Sequence, residues 1–236
     1  MAAPARNLSA IGFDADDTLW QNETFFRLTE QRFTELLAGH GEHHVLSARL
    51  LEAERRNLAY YGYGVKGFTL SMIETAVEVT KGEVPASVIA EILSFGRTML
   101  QNPVETLPHV RETLDELAGR YRIILITKGD LFDQERKLAQ SGLGEYFDAV
   151  EIVSEKTAAT YERIFARHAD GAARAMMVGN SLKSDVVPAI AAGSVGVHVP
   201  HELTWVLEHH EAPEGNPRFH RIDALDKLAP LLRQMT

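Results

Sequence analysis

Short apolar runs punctuate the chain, and polar residues follow each of them. The first, Leu8 to Phe13, runs directly into Asp14. Four more lie well downstream: Ile123 to Ile126, Val150 to Val153, Ala175 to Val178 and Val195 to Val199. Runs of this length suit buried strands. Between the later runs the apolar positions fall at helical spacing. Val110, Leu114 and Leu117 share a face in a segment opened by Pro108 and closed by Gly119. Asp130 is placed to cap a helix running through Leu138 to Gly142, and Tyr161, Ile164, Phe165 and His168 share a face of another. Strands alternating with helices predict βαβ units and a parallel sheet with helices on both faces.

From about Asn22 to Thr106 this rhythm breaks. Phe26, Phe33 and Leu37 form one helical stripe, and Leu46, Leu50 and Leu58 a second. Leu70, Ile73 and Val77 predict a third, and Pro85 opens a fourth with Val88, Ile92 and Met99. With no strand signal between them, the four stripes predict a small helical bundle inserted after the first strand. The expected fold is α/β: a three-layer, Rossmann-like parallel-sheet core (residues 1–20 and 107–236) carrying an all-helical cap (residues 21–106). No internal repeat or low-complexity linker interrupts it.

Composition narrows the function. The 236 residues include no cysteine, which excludes disulfides, cysteine-ligated metals and a thiol nucleophile. Lys+Arg is 24 against 33 for Asp+Glu, a net charge of −9. Nucleic-acid binding calls for a basic footprint instead. No stretch reaches the roughly 20 apolar residues that span a bilayer. Met1 to Asn7 has no long apolar segment of the kind a secretory leader needs, so the expected location is cytoplasmic. The sequons at Asn7 and Asn22 are read as accidental.

The informative segment is Phe13-Asp14-Ala15-Asp16-Asp17-Thr18-Leu19. Three carboxylates at a strand exit repel one another, and hard oxygen donors of this kind suit Mg²⁺. Alone, such a cluster is equally a solvated turn or a helix cap. The other strand exits change its meaning. Ile123 to Ile126 leads into Thr127-Lys128-Gly129, Lys156 follows Val150 to Val153, and Met176-Met177-Val178 leads into Gly179-Asn180-Ser181 with Asp185 beyond. A parallel sheet gathers all of these on one edge, where α/β folds bind ligands.

In these residues the chain resembles the haloacid dehalogenase-like hydrolase superfamily. That family's four motifs are D-x-D-x-T after a strand, Thr or Ser after a second, a downstream Lys, and a G-D-x-x-x-D variant after a further strand. Here they read Asp14-Ala15-Asp16-Asp17-Thr18, Thr127, Lys156, and Gly179 to Asp185. The resemblance covers nearly the whole chain, including the place of a helical cap. It implies that Asp14 is the nucleophile forming an aspartyl-phosphate and that Asp16 is the acid and then the base. It implies that Lys156 supplies positive charge, and that Thr127 with Lys128 and Gly129 binds the phosphoryl oxygens. Mg²⁺ would be held by Asp14, Asp16 through its carbonyl, Asp185 and Asn180. A dehalogenase of this family lacks the second motif-one Asp, because departing chloride needs no proton. Asp16 therefore favours phosphate esters.

Two positions depart from the pattern. Asn180 stands where most phosphatase members carry Asp, removing one formal charge from the metal site. Thr157 follows Lys156 where many members have Pro, and Lys128 is the alternative source of positive charge. The expected activity is that of a Mg²⁺-dependent phosphatase for a small metabolite: a sugar phosphate, phosphoglycolate or a nucleoside monophosphate. The alternatives are a haloacid dehalogenase or phosphonatase-type hydrolase, or a catalytically weakened phosphate-binding relative. The expected partner is the small phosphate ester, with no nucleic acid and no membrane, and a homodimer is left open.

Other signals are set aside. Gly62-Tyr63-Gly64-Val65-Lys66-Gly67 matches a dinucleotide pattern but follows a helical segment, so it reads as a loop between helices. His40, His43 and His44 lack further ligands at metal spacing, and His209-His210 reads as surface. Trp20, Phe25 and Phe26 read first as packing residues.

Overall fold

The computed structural model describes residues 8–235; the leader and sequon readings at residues 1–7 lie outside them. Six strands form one sheet: β1 (Ala10–Phe13), β2 (Arg122–Lys128), β3 (Ala149–Val153), β4 (Ala175–Gly179), β5 (Val195–His198) and β6 (Phe219–Arg221). Their order is β3-β2-β1-β4-β5-β6, and every neighbouring pair is parallel. The fold is α/β and Rossmann-like. β6 was not anticipated: Phe219-His220-Arg221 is three residues long, at the sheet edge and only half-buried, so it carries no apolar run.

The side-chain alternation of each central strand divides two cores. Ile11, Phe13, Ile123, Leu125, Met176 and Val178 face one side. They pack with helices α5 (Val110–Leu117) and α9 (Leu228–Met235) through Val110, Leu114, Leu117, Leu228 and Leu232. Ala10, Ile124, Ile126, Ala175 and Met177 face the other. There they meet Tyr161, Ile164 and Phe165 of helix α7 (Ala158–His168) and Ala189 of the short α8 (Val187–Ala191). Burying each large side chain stabilises the fold by about 1.5–3 kcal/mol. Gly12 sits where the sheet is most crowded: a Cβ there would lie 2.8 Å from Ile126 Cδ1 and 3.1 Å from Met177 Sδ.

The chain divides into two compact units. One comprises Met1–Gln21, Val104–Lys128 and Gln134–Thr236; the other comprises Asn22–Pro103 and Gly129–Asp133. The second unit contains α1 (Glu23–Leu36), α2 (His43–Tyr61), α3 (Val65–Val79) and α4 (Ala86–Gln101). Its core is Phe33, Leu37, Leu46, Leu50, Phe68, Met72, Ile92 and Met99. The third stripe requires a correction. Leu70 and Val77 are exposed, and α3 instead buries Val65, Phe68, Met72 and Ala76. This face also carries Thr69, Ser71 and Thr75, whose hydroxyls satisfy themselves on the carbonyls of Val65, Gly67 and Ser71. Small self-satisfied polar residues can line a core, and they disguised it as the polar side.

Gly62 (φ 69°) and Gly64 (φ 103°) make the turn between α2 and α3, so the glycine pattern is a helix–helix connection. His43 and His44 are exposed, as are His209 and His210. Among the described residues no group of three or more His, Cys, Asp or Glu is poised as a metal cluster. Among the same residues no helix is long and apolar enough to cross a membrane.

Candidate active site

Asp14 follows β1 directly, and its N–H donates to the Val178 carbonyl at 2.9 Å, continuing the ladder one residue past the strand. The chain then doubles back. Asp17 takes the left-handed conformation (φ 59°), which Asp tolerates better than most residues. Its N–H donates to the Trp20 carbonyl at 2.7 Å. The turn returns Thr18 to the strand end, where its Oγ1 lies 3.1 Å from Asp14 Oδ2 and 3.3 Å from Asn180 Oδ1. The same hydroxyl accepts from the Asn180 N–H at 3.0 Å.

β1 lies where the chain, having stepped outward through β2 and β3, returns to place β4 on its other side. At this switch point the residues after β1, β3 and β4 converge. Lys156 Nζ donates to Asp14 Oδ1 at 2.5 Å and to Asp185 Oδ1 at 2.7 Å. All three residues are buried, Asp185 to 1% exposure. Asp185 Oδ2 accepts from the Ser181 N–H at 2.9 Å. Gly179 makes room for this carboxylate, since a Cβ at that position would overlap it. The electrostatics follow from burial. Desolvation, reinforced by the neighbouring Asp185 charge, pushes Asp14 up to about 7 against the pull of Lys156. Desolvation also opposes the Lys156 charge, but Asp14 and Asp185 outweigh it and hold the ammonium above its usual range.

Lys156 is thus a lysine that reaches Asp14. Thr157, at the position where many relatives have Pro, caps α7 by accepting the Thr160 N–H at 3.2 Å. Thr127 is buried near the end of β2. Lys128 is directed elsewhere: its Nζ donates to Ser184 Oγ at 2.8 Å and to Glu208 Oε1 at 2.6 Å. Gly129 (φ 137°) falls in the segment grouped with the helical unit.

Asp16 stands apart from the cluster. Its carboxylate accepts from Trp20 Nε1 at 2.7 Å, Gln134 Nε2 at 2.8 Å and Lys137 Nζ at 2.9 Å. The latter two belong to helix α6 (Leu131–Ser141), which Asp130 caps by accepting the Asp133 N–H. Burial opposes the Asp16 charge, but Lys137 and the hydrogen bonds outweigh it and hold the carboxyl below its ordinary value.

Sequence reasoning missed Gln134, Lys137 and Glu208, and read Trp20 first as a packing residue, without its hydrogen bond to Asp16. Gln134 and Lys137 lie three apart on one helix face, a weak cue. Glu208 follows no strand and gave none. His198, at the end of β5, donates from Nε2 to the Asn180 carbonyl at 3.0 Å. Burial holds its imidazole below the usual value, against the opposing pull of the hydrogen bond to the Asn180 carbonyl.

A family model described as haloacid dehalogenase-like hydrolase matches residues 8–193. The chain belongs to the haloacid dehalogenase-like hydrolases. It is accordingly a hydrolase, and of its motif residues Asp14, Thr18, Lys156, Asn180 and Asp185 meet at the sheet edge. A solved structure of a haloacid dehalogenase-like family hydrolase from Xanthomonas campestris is 40% identical with a TM-score of 0.85, over 100% of this chain and 96% of that one. Glyceraldehyde 3-phosphate phosphatase of Methanothermobacter thermautotrophicus is 26% identical, covering 88% of this chain and 92% of its own. Pyrimidine 5'-nucleotidase YjjG of Escherichia coli is 31% identical over 53% of this chain and 56% of its own.

The donors around Asp14 suit a hard cation. Asp14 and Asp185 offer carboxylates and Asn180 an amide oxygen. All are oxygens, with no sulfur or imidazole among them, as Mg²⁺ prefers.

Proposed function

We propose that this hydrolase is a Mg²⁺-dependent phosphatase, cytoplasmic, that cleaves a small phosphate monoester through an aspartyl-phosphate on Asp14. The observation that carries the reading is the bridge Lys156 makes between Asp14 and Asp185. It fixes one carboxylate oxygen of Asp14 and leaves the group oriented from both sides, with Thr18 at the other oxygen. The two named relatives act on phosphate monoesters, a triose phosphate and a nucleotide, and support the substrate class.

Asp14, Asp185, Asn180 and the Asp16 carbonyl would hold Mg²⁺. Bound there, it would offset the repulsion between nucleophile and phosphoryl group, roughly 4 kcal/mol for unit charges about 4 Å apart at an effective dielectric of about 20. The chain's own residues supply the rest. Asp14 attacks phosphorus as the ester oxygen leaves, and Asp16 gives that oxygen a proton. Asp16 then takes a proton from the water that attacks phosphorus and frees Asp14. Asp16 starts this cycle protonated and ends it so, in a rotamer other than the one in which Trp20, Gln134 and Lys137 hold it ionised. Lys156 favours the ionised form of Asp14 against burial and the Asp185 charge, and the Thr127 hydroxyl donates to a phosphoryl oxygen.

Hydrolysis of p-nitrophenyl phosphate with Mg²⁺ tests the proposal. Turnover that disappears in Asp14→Asn supports it, and turnover that survives the substitution overturns it. One observation favours a second reading, haloacid cleavage: the Asp16 carboxylate is engaged away from Asp14, as suits a reaction needing no proton donor. Chloride release from a 2-haloacid, absent with phosphate esters, would establish that reading instead.

A further inference from the structure

A second charged network occupies the same sheet edge and has no part in the mechanism above. Its centre is Glu208, at the end of the 3₁₀ turn Val206–Glu208 in the long connection between β5 and β6. One carboxylate oxygen accepts from Lys128 Nζ at 2.6 Å. The other accepts from Ser181 Oγ at 2.6 Å and Ser184 Oγ at 2.5 Å. Lys128 also donates to Ser184 Oγ, which closes a ring of polar contacts. Lys128 and Glu208 side chains are each only 13% exposed. Burial opposes the Glu208 charge, but Lys128 and the two hydroxyls outweigh it and hold the carboxyl below its ordinary value.

The partners of Glu208 are each adjacent to a residue the site uses. Lys128 follows Thr127 in β2. Ser184 precedes Asp185, and Ser181 donates its N–H to the Asp185 carboxylate. Ser181 Oγ also accepts the Ser184 N–H at 3.0 Å, capping the π-helical turn Leu182–Val186 that carries Asp185. Two further bonds hold this turn: Lys183 Nζ donates to the Leu207 carbonyl at 2.6 Å, and Tyr161 Oη donates to the Ser184 carbonyl at 2.9 Å. The 3₁₀ turn is thus fastened to the Asp185 turn, and Glu208 ties both to the exit of β2. β2 and β4 are not neighbours in the sheet, since β1 lies between them. Lys128 reaches across that gap, and Glu208 is its anionic anchor.

We propose that Glu208 is a positioning residue of the active site, holding Lys128 beside Thr127 and the turn that presents Asp185 to Lys156. This rests on the phosphatase reading for its chemistry but not for its geometry. Glu208 touches neither Asp14 nor Asp185 and acts through Lys128, Ser181 and Ser184. Outer partners of this kind commonly change activity by about 10–100-fold when removed.

The test compares wild type, Glu208→Gln, Lys128→Met and the double variant on p-nitrophenyl phosphate with saturating Mg²⁺, alongside crystal structures of wild type and Glu208→Gln. Glu208→Gln keeps the shape and an acceptor, so the variant folds. Its kcat falls at least about tenfold while KM stays within about threefold. The double variant is within about threefold of the poorer single variant, because both act on one contact. In the Glu208→Gln crystal, Lys128 Nζ leaves its place and the Asp185 turn shifts. An unchanged kcat in a folded variant, or fully additive losses, overturns the proposal. If wild type itself hydrolyses no phosphate ester, the phosphatase reading fails, and the crystals then decide the positioning claim. Lys128 and Asp185 unmoved in Glu208→Gln would refute it.

Discussion

Lys156 serves two carboxylates with one ammonium, and the balance among those three groups sets the chemistry of the site. Buried carboxylates this close to each other drift toward protonation, as the raised Asp14 shows. In the proposed phosphatase, Asn180 adds a neutral amide rather than a further carboxylate to this group. It should also weaken the metal. Asn180→Asp is expected to bind Mg²⁺ more tightly, by about tenfold, in calorimetric titration without substrate, and equal affinity in both proteins would refute this role. Asp16 has the opposite environment. Removing the ammonium in Lys137→Met leaves a largely buried carboxylate with two neutral donors, and should cost about 2 kcal/mol in urea unfolding. An unchanged midpoint would mean that the pair contributes no net stability. At this scale the sequence was informative about which residues the strand exits bring together and silent about their orientation. Asp14, Lys156, Asn180 and Asp185 were placed by their strand exits. The donors holding Asp16 were not, because side-chain partners separated by 118 and 121 positions leave no local pattern.

At the scale of elements, the apolar runs marked β1, β2, β4 and β5 because a parallel sheet buried on both faces leaves little room for polar residues, and marked the edge strand β3 through Val150, Ile152 and Val153. The edge strand β6 escaped for the converse reason. Helix α3 shows how periodicity misleads: Leu70 and Val77 are more apolar than the Thr and Ser residues that share the buried side, yet they face solvent. Strand β1 permits a sharper test. Gly12→Ala places a methyl against Ile126 and Met177, and the overpacking should destabilise the protein by about 1–3 kcal/mol in denaturant unfolding. The 3₁₀ turn bearing Glu208 predicts a pH dependence. Its folded value lies below the ordinary 4.5, so the unfolded chain binds the proton more readily. The stability this gives is full above 4.5 and declines as pH falls through the lower folded value. Glu208→Gln should therefore be less stable than wild type at neutral pH, and the difference should narrow in acid. A gap that stayed constant with pH would show that the carboxylate charge makes no contribution.

For the whole molecule, the sheet order explains why residues more than 100 positions apart share one site. The motifs follow β1, β2, β3 and β4, and parallel strands deliver all four exits to the same edge. This topology was legible because alternating strands and helices permit few connections, nearly all of one hand. The substrate was not legible, since the α/β scaffold supports both phosphate and halide chemistry. The two differ in where water attacks. An aspartyl-phosphate is opened at phosphorus, whereas an alkyl ester of Asp14 is opened at its carboxyl carbon. Repeated turnover of p-nitrophenyl phosphate in ¹⁸O-water, followed by mass spectrometry of the released phosphate and of the peptide containing Asp14, separates them directly. The account predicts heavy oxygen in the phosphate and none in Asp14. Label in the Asp14 carboxylate, or no phosphate released at all, would contradict it.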